Sequence, residues 1–372
     1  ALLLGVAVSA GTVSFEESDL TPGGQVYEIN RGADGRLYLS DYRESEVWVI
    51  EPDGDHTIYR TSGSPLDAKP DSKGDIWWTD GATTIGRINV AAGTQTTWQV
   101  PEDRNLRGVA IDGEDRVWAT EEATGALYRF DPGTAVRATE LCTYTLHGGA
   151  HSTYIVRDGR HLWLANWFNK YAHRLDLEGG KVTRWKLPDS VWPAGLDVDG
   201  EVNLWWADKG LGALVQLDPD ASQMTKYALP QGGATDPQMI DVRGSQVWYS
   251  AVEEGEAVIT GTVGVLDPAS ATGVVTNLPS TTGNIDSECN PWGSGTTEEI
   301  TTEMGSLEPW SQGSLETTVL TGWTVYYLPD QASPYGIAYL QDYQWVADQG
   351  RQKLVRISAP EYRVFLPLVM SE

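Results

Sequence analysis

The residues best placed to do chemistry are oxygen-bearing side chains that recur along the chain. Asp41, Asp80, Glu121, Asn166, Asp208 and Asp348 each stand three positions after an aromatic residue, at the end of a short apolar run. Their aromatic partners are Tyr38, Trp77, Trp118, Trp163, Trp205 and Trp345, whereas Trp248 has Ala251 in that place. Gathered on one side of a fold, Asp41, Asp80, Glu121, Asp208 and Asp348 could offer oxygen ligands to a hard divalent cation such as calcium or magnesium. The competing reading is that each acid caps its own turn, as Asp commonly does, and recurrence in nearly every repeat favours it. A second set breaks the repetition. Asp67, Arg107, His151, Gln238 and Tyr335 open successive repeats, with Asn166 beside them. His151, next to Arg107 and Asp67, would titrate near neutral pH. Trp167 and Phe168 add aromatics that suit a sugar or a peptide. The other histidines, His56, His147, His161 and His173, fall on outer or third strands or in their turns and read as structural. No nucleophile elbow, phosphate loop or His-rich metal spacing occurs.

These side chains are positioned by a repeat. The aromatic positions are spaced 39, 41, 45, 42 and 43 apart and then 97, which is two periods plus an insertion. A strand-rich repeat of about forty residues marks a β-propeller blade. Blade one reads as VYEIN (26–30), RLYLSD (36–41), EVWVIE (46–51) and HTIYRT (56–61). The third strands of later blades, such as LYRFDP (127–132) and LVQLDP (214–219), alternate apolar and polar residues with period two. Between first and second strands lie Gly-Ala-Asp-Gly (32–35), Asp-Gly-Glu-Asp (112–115) and Asp-Val-Asp-Gly (197–200), which read as turns. Asp-x-Asp-Gly also opens a calcium loop, but the downstream ligands of such a loop are missing.

The expected fold is therefore all-β, a seven-bladed propeller of four-stranded blades over 25–361. It carries a Ser/Thr/Gly/Glu-rich insertion (280–322) in blade six and extended terminal strands. The insertion contains no Lys or Arg and reads as a long irregular loop, with Cys289, Trp292 and Trp310 folding part of it back onto the ring. Cys142 and Cys289 are the two cysteines; separate thiols is the favoured reading and one bridge the alternative. The 26 basic against 52 acidic residues give a formal charge of −26, which repels phosphate backbones and argues against nucleic acid.

Both ends are apolar. Residues 1–24 begin with Leu2, Leu3, Leu4, Val6 and Val8, readable as a signal remnant or as a structural strand; the run is too short to span a bilayer as a helix. Residues 362–372 include Val364, Phe365, Leu366, Leu368 and Val369. A ring is closed when one terminus adds a strand to the blade built from the other, and GTVSFEE (11–17) and YRVFLP both compete for the outer edge of blade seven. A leftover greasy strand is a sticky edge unless a neighbouring copy takes it.

First-strand openings such as Trp-Pro-Ala-Gly-Leu (192–196) and Ser-Pro-Tyr-Gly-Ile (333–337), and second strands NLWWAD (203–208) and DIWWTD (75–80), carry a family resemblance. Over about 25–360 the chain resembles the streptogramin lyase (virginiamycin B lyase-like) propellers and their NHL-repeat and gluconolactonase-type relatives. The resemblance implies a magnesium ion, a His in a Pro-His-x-Ile opening and a Glu after the next second strand. The matching positions here are Gln238 and Ala251, which cannot serve as that acid/base pair. The reading that follows is an exported, non-catalytic propeller, used as a structural or adhesive surface subunit that polymerises by terminal strand exchange. Its rivals are a metal-assisted lyase or lactonase at the mouth and a monomeric carbohydrate- or peptide-binding module. The expected partner is a second copy of the chain, with carbohydrate or peptide as the other candidates.

Overall fold

The computed structural model describes residues 11–100, 105–131, 139–146, 152–230, 235–254, 259–292, 296–307 and 310–358. All of its regular elements are strands, and no helix among the described residues is long and apolar enough to cross a membrane. The strands divide into seven antiparallel four-stranded sets. Their innermost members are Val26–Arg31, Asp67–Pro70, Leu106–Ile111, Ser152–Arg157, Pro193–Val198, Thr235–Arg243 and Pro334–Leu340. Each of these inner strands contacts the next and the last contacts the first, so they ring an axial channel. The expected blade architecture holds.

The aromatic of each second strand explains the blade. Trp77, Trp163, Trp205, Trp248 and Trp345 are at most 2 % exposed and fill the space between neighbouring sheets. In five blades its polar atom is matched by the first turn. Trp77 Nε1 donates to Asp71 at 3.0 Å, Trp118 to Asp112 at 2.8 Å, Trp163 to Asp158 at 2.7 Å and Trp205 to Asp199 at 2.8 Å. Tyr38 Oη donates to Asp34 at 2.6 Å. The same carboxylates accept turn N–H groups, as Asp199 does from Glu201 and Asn203 at 2.9 Å each. Turn and core are locked by one side chain.

Closure is by the N-terminal strand. Gly11–Asp19 pairs with Lys353–Ser358 as the fourth strand of blade seven, with Phe15 opposite Ile357. Its other edge is also taken, by Ser311–Leu320, which in turn pairs with Trp323–Tyr327 of blade six. The segments 2–8 and 362–370 lie outside the described residues.

The insertion departs from the expectation of an irregular loop. It is a belt of short strands that runs backwards around the rim, adding a fifth strand to each blade it passes. Val274–Asn277 pairs with blade five, Ser280–Asn284 with blade four, Asp286–Trp292 with blade three, Thr296–Glu299 with blade two and Thr301–Ser306 with blade one. Residues 274–277 thus belong to the rim of blade five, and the fourth strand of blade six is Trp323–Tyr327. At the crossings between blades the belt buries an apolar side chain: Leu278, Ile300 and Leu307 are 7, 9 and 2 % exposed, and Ile285 packs on the core between blades three and four. The N–H of each donates to a turn carbonyl of the blade below, on Ser222, Gly180, Gly93 and Gly54, at 2.8 to 3.2 Å. Those four turn residues all have φ between 52 and 99°, which glycine accepts without strain.

Cys142 and Cys289 stand opposite each other where the belt crosses blade three, and they are disulfide-bonded. This corrects the favoured reading of two separate thiols. The pairing was hidden because it depends on the register of the belt, not on spacing along the chain. The bridge joins residues 147 apart, and a loop of that length gives a large entropic benefit, about 4–5 kcal/mol in the chain-entropy account. Reduction, or Cys142→Ser, is expected to lower the thermal midpoint and to make the belt the first site of limited proteolysis; calorimetry and a timed digest with and without reductant check this. Separately, Asp199→Ala should cost about 1–3 kcal/mol by orphaning a buried indole N–H, while Asp199→Asn should cost much less, measured by denaturant unfolding.

Candidate functional site

The repeated acids are occupied by their own turns. Asp41 accepts N–H groups of Gln25, Arg43 and Glu44 at 2.9 to 3.1 Å. Asp80 accepts from Ala82 and Thr84, Glu121 from Ala123 and Thr124, and Asn166 from Phe168 and Asn169. Asp208 takes Trp192, Leu211 and the indole of Trp206; Asp348 takes Ser333 and Arg351. Each carboxylate is turned toward its own blade. Among the described residues no three His, Cys, Asp or Glu side chains converge as a metal ligand set. The turn-capping reading is the one the geometry supports, and the acidic tier does not fit the magnesium implied by the family resemblance.

The second set is partly brought together. Tyr335 Oη lies 3.0 Å from Tyr154 Oη, and its ring centroid is 5.5 Å from that of Tyr27. Arg107 Nη1 donates to Tyr27 Oη at 3.4 Å and is itself clamped by Glu122 at 2.7 Å. Burial is the main cause that raises the pKa of all three phenols, so they stay protonated as donors. These tyrosines cross the channel just below the mouth. Gln238 sits to one side, accepting from Lys209 Nζ at 2.6 Å and donating to Asp236. Asp67 lies one level deeper, against Lys69 at 3.0 Å, Asn30 at 2.8 Å and the Val109 N–H at 2.7 Å. His151 lies outside the described residues. Trp167 stacks on Trp192 at 5.1 Å beside the mouth, and Phe168 next to it is 63 % exposed.

Below the tyrosines the channel widens into a cavity of about 300 Å³ on the opposite face. Sequence reasoning missed it. One position of every inner strand faces the aromatic of its second strand: Asn30, Lys69, Ala110, Val156, Asp197, Asp241 and Ala338 are paired with Tyr38, Trp77, Trp118, Trp163, Trp205, Trp248 and Trp345. All seven line the cavity. The register to the second-strand aromatic was the available signal, and it singles out three charged members. Asp197 is pushed up to about 7, first by burial and then by the charge of Asp241; burial pushes Asp241 up to about 6. One level above, burial and then the Asp67 charge raise Glu28 well above the usual carboxylate range.

An antiparallel ring of four-stranded sheets around a polar axial channel defines a β-propeller. The profile of the virginiamycin B lyase family matches residues 13–269, more than half of the chain, and the chain belongs to that family. Among solved structures, virginiamycin B lyase of Staphylococcus aureus is similar at 18 % identity and a TM-score of 0.64, with 92 % of this chain and 98 % of that chain covered. A catalytically inactive variant of the S. aureus enzyme with quinupristin matches at 19 % identity, a TM-score of 0.64 and the same coverage. YCF48 bound to D1 peptide matches at 10 % identity and a TM-score of 0.54, covering 97 % of this chain and 99 % of that one. At these identities the structural likeness speaks for the fold. No curated protein sequence matches the chain.

The raised acids fix a pH dependence. A carboxyl whose folded pKa lies above its unfolded value contributes stability that is complete below the unfolded pKa and is lost as pH rises through the folded one. For Asp197 and Asp241 that window runs from about pH 4 to about 6 and 7. Stability should therefore fall across this range. In Asp197→Asn the fall should be shallower and the protein more stable at pH 8, as read from unfolding midpoints against pH.

Proposed function

We propose that this family member is an exported propeller that performs no lyase chemistry at its mouth and serves as a subunit of a surface assembly. Its terminal apolar segments 2–8 and 362–370 are the joints. One observation carries the reading: both edges of Gly11–Asp19 are already paired, so blade seven offers no outer edge to the apolar segment 362–370. Strands Gly11–Asp19 and Lys353–Ser358 run antiparallel, so the chain enters the first and leaves the second at the same rim, where Ser14 Oγ and Ser358 Oγ are 3.5 Å apart. An apolar segment with no edge of its own ring to join is a sticky end, and a second copy is the partner that can take it up. Donation of this kind from ring to ring does not close and builds a filament.

Two further observations favour the reading. The positions of the implied acid/base pair hold Gln238, bonded to Lys209 and Asp236, and Ala251, which is fully buried. A disulfide between belt and blade suits an oxidising, extracellular compartment. A second reading, a carbohydrate- or peptide-binding module, rests on the exposed aromatic ledge of Trp167, Phe168 and Trp192 beside the mouth.

Size-exclusion chromatography and negative-stain imaging of the full chain should show linear oligomers, abolished by Val364→Lys with Leu366→Lys. Quinupristin should emerge unchanged from incubation. A strictly monomeric full chain overturns the assembly, and turnover of quinupristin overturns the non-catalytic assignment.

A further inference from the structure

We propose that the axial cavity on the face opposite the mouth is a binding site for a small primary amine, whose ammonium group is taken by Asp197 and Asp241. The inference goes beyond the assembly reading and does not depend on it. The cavity measures about 300 Å³, at the small end of ligand sites and room for roughly ten waters. Tyr154 lines its inner end, where the three phenols cross the channel. It is blind on the mouth side and open on the other.

The channel already shows how it seats an ammonium. Lys69 Nζ is held by the Asp67 carboxylate at 3.0 Å and by the carbonyls of Val109 and Ile155 at 2.7 and 3.5 Å. On the same tier, three and four blades further round the ring, stand Asp197 and Asp241. Asp197 accepts the N–H groups of Val198 at 2.8 Å and Val242 at 2.6 Å, and Asp241 accepts the Gln344 amide at 3.4 Å. Among the described residues neither carboxylate has a cation within 4.0 Å. Lys69 is spent on Asp67, and Arg243 lies over the Tyr339 ring at 3.5 Å. Two half-buried acids on adjacent strands therefore face the cavity with no cation in direct contact; burial is the first cause of their raised pKa values, and the more distant Arg31 offsets it only in part.

The donor set discriminates between cations. An ammonium has three N–H donors; one carboxylate and two carbonyls take them at Lys69, and here two carboxylates and a backbone carbonyl can. Calcium asks for six to eight oxygens, and no third acidic group converges here among the described residues. Ala110, Val156 and Ala338 give the cavity an uncharged arc for a short alkyl chain, while Arg31 and Arg157 at the open side disfavour a second positive charge. The groups that face the pair are Arg31, Arg243, Lys69 and Glu28; burial and the Asp67 charge hold the Glu28 carboxyl well above the usual carboxylate range. Asp197 and Asp241, pushed up to about 7 and about 6, ionise between pH 5 and 8, so binding should tighten across that range.

Titration calorimetry of the full chain with n-butylamine tests this, with butan-1-ol and calcium chloride as parallel probes. One saturable amine site is expected, tighter at pH 8 than at pH 5, with no binding of the alcohol. Asp197→Asn with Asp241→Asn should weaken the amine at least tenfold, the loss of one charged hydrogen bond or more. Ala338→Leu, which narrows the cavity and leaves both acids in place, should weaken it too; circular dichroism verifies that each variant is folded. Equal binding of the alcohol, an amine affinity untouched by the double variant, no amine binding by folded wild-type protein, or calcium outcompeting the amine overturns the proposal.

Discussion

The ring depends on burying one flat aromatic between each pair of sheets without stranding its polar atom. An indole N–H removed from water with no acceptor costs about 1–3 kcal/mol, a large fraction of a domain's net stability when repeated around a ring. The chain meets this with an Asp in the turn before the second strand, which takes the indole N–H and the turn N–H groups together. Asp112 and Asp158 keep their carboxyls below the usual range because the hydrogen bonds donated to them outweigh the cost of burial. Blades six and seven lack the device: Trp248 Nε1 and Trp345 Nε1 find no partner among the described residues. These two blades are also the pair joined edge to edge through Ser311–Leu320 and Gly11–Asp19 into one nine-stranded sheet.

Symmetry and its breaking divide the labour. Positions that recur, the second-strand aromatic in every blade and the acid three residues later in five of them, are spent on the scaffold. The inner strands carry different residues in each blade, and there the channel acquires its tyrosine barrier, its buried lysine and its two acids. A chain of this family can thus keep the ring while the residues along its channel vary.

Much of this was legible in the sequence, and the failures are physically instructive. Blade strands announce themselves because one face is buried and the other is not, so residues such as 127–132 alternate. Acids such as Asp41 and Asp80, which recur at one place in five blades, bond to the N–H groups of their own turns. The belt was missed because its strands, 280–284, 296–299 and 301–306, are exposed throughout and show no alternation. Its one trace is an apolar residue every seven positions, Leu278 then Ile285 and Ile300 then Leu307, set in Ser, Thr and Glu. Asp197 was absorbed into a turn motif, although it faces Trp205 across the ladder as Lys69 faces Trp77.

The belt also constrains the order of events during folding. It travels against the direction of synthesis, from blade five back to blade one, so each length of it needs a docking surface made earlier. No crossing can form until the blade beneath it has assembled, and the first strand of the chain must wait for the last blade. Such long-range pairings are slow to find. The molecule is therefore laced last, and the Cys142–Cys289 bond is the knot that records a completed wrap.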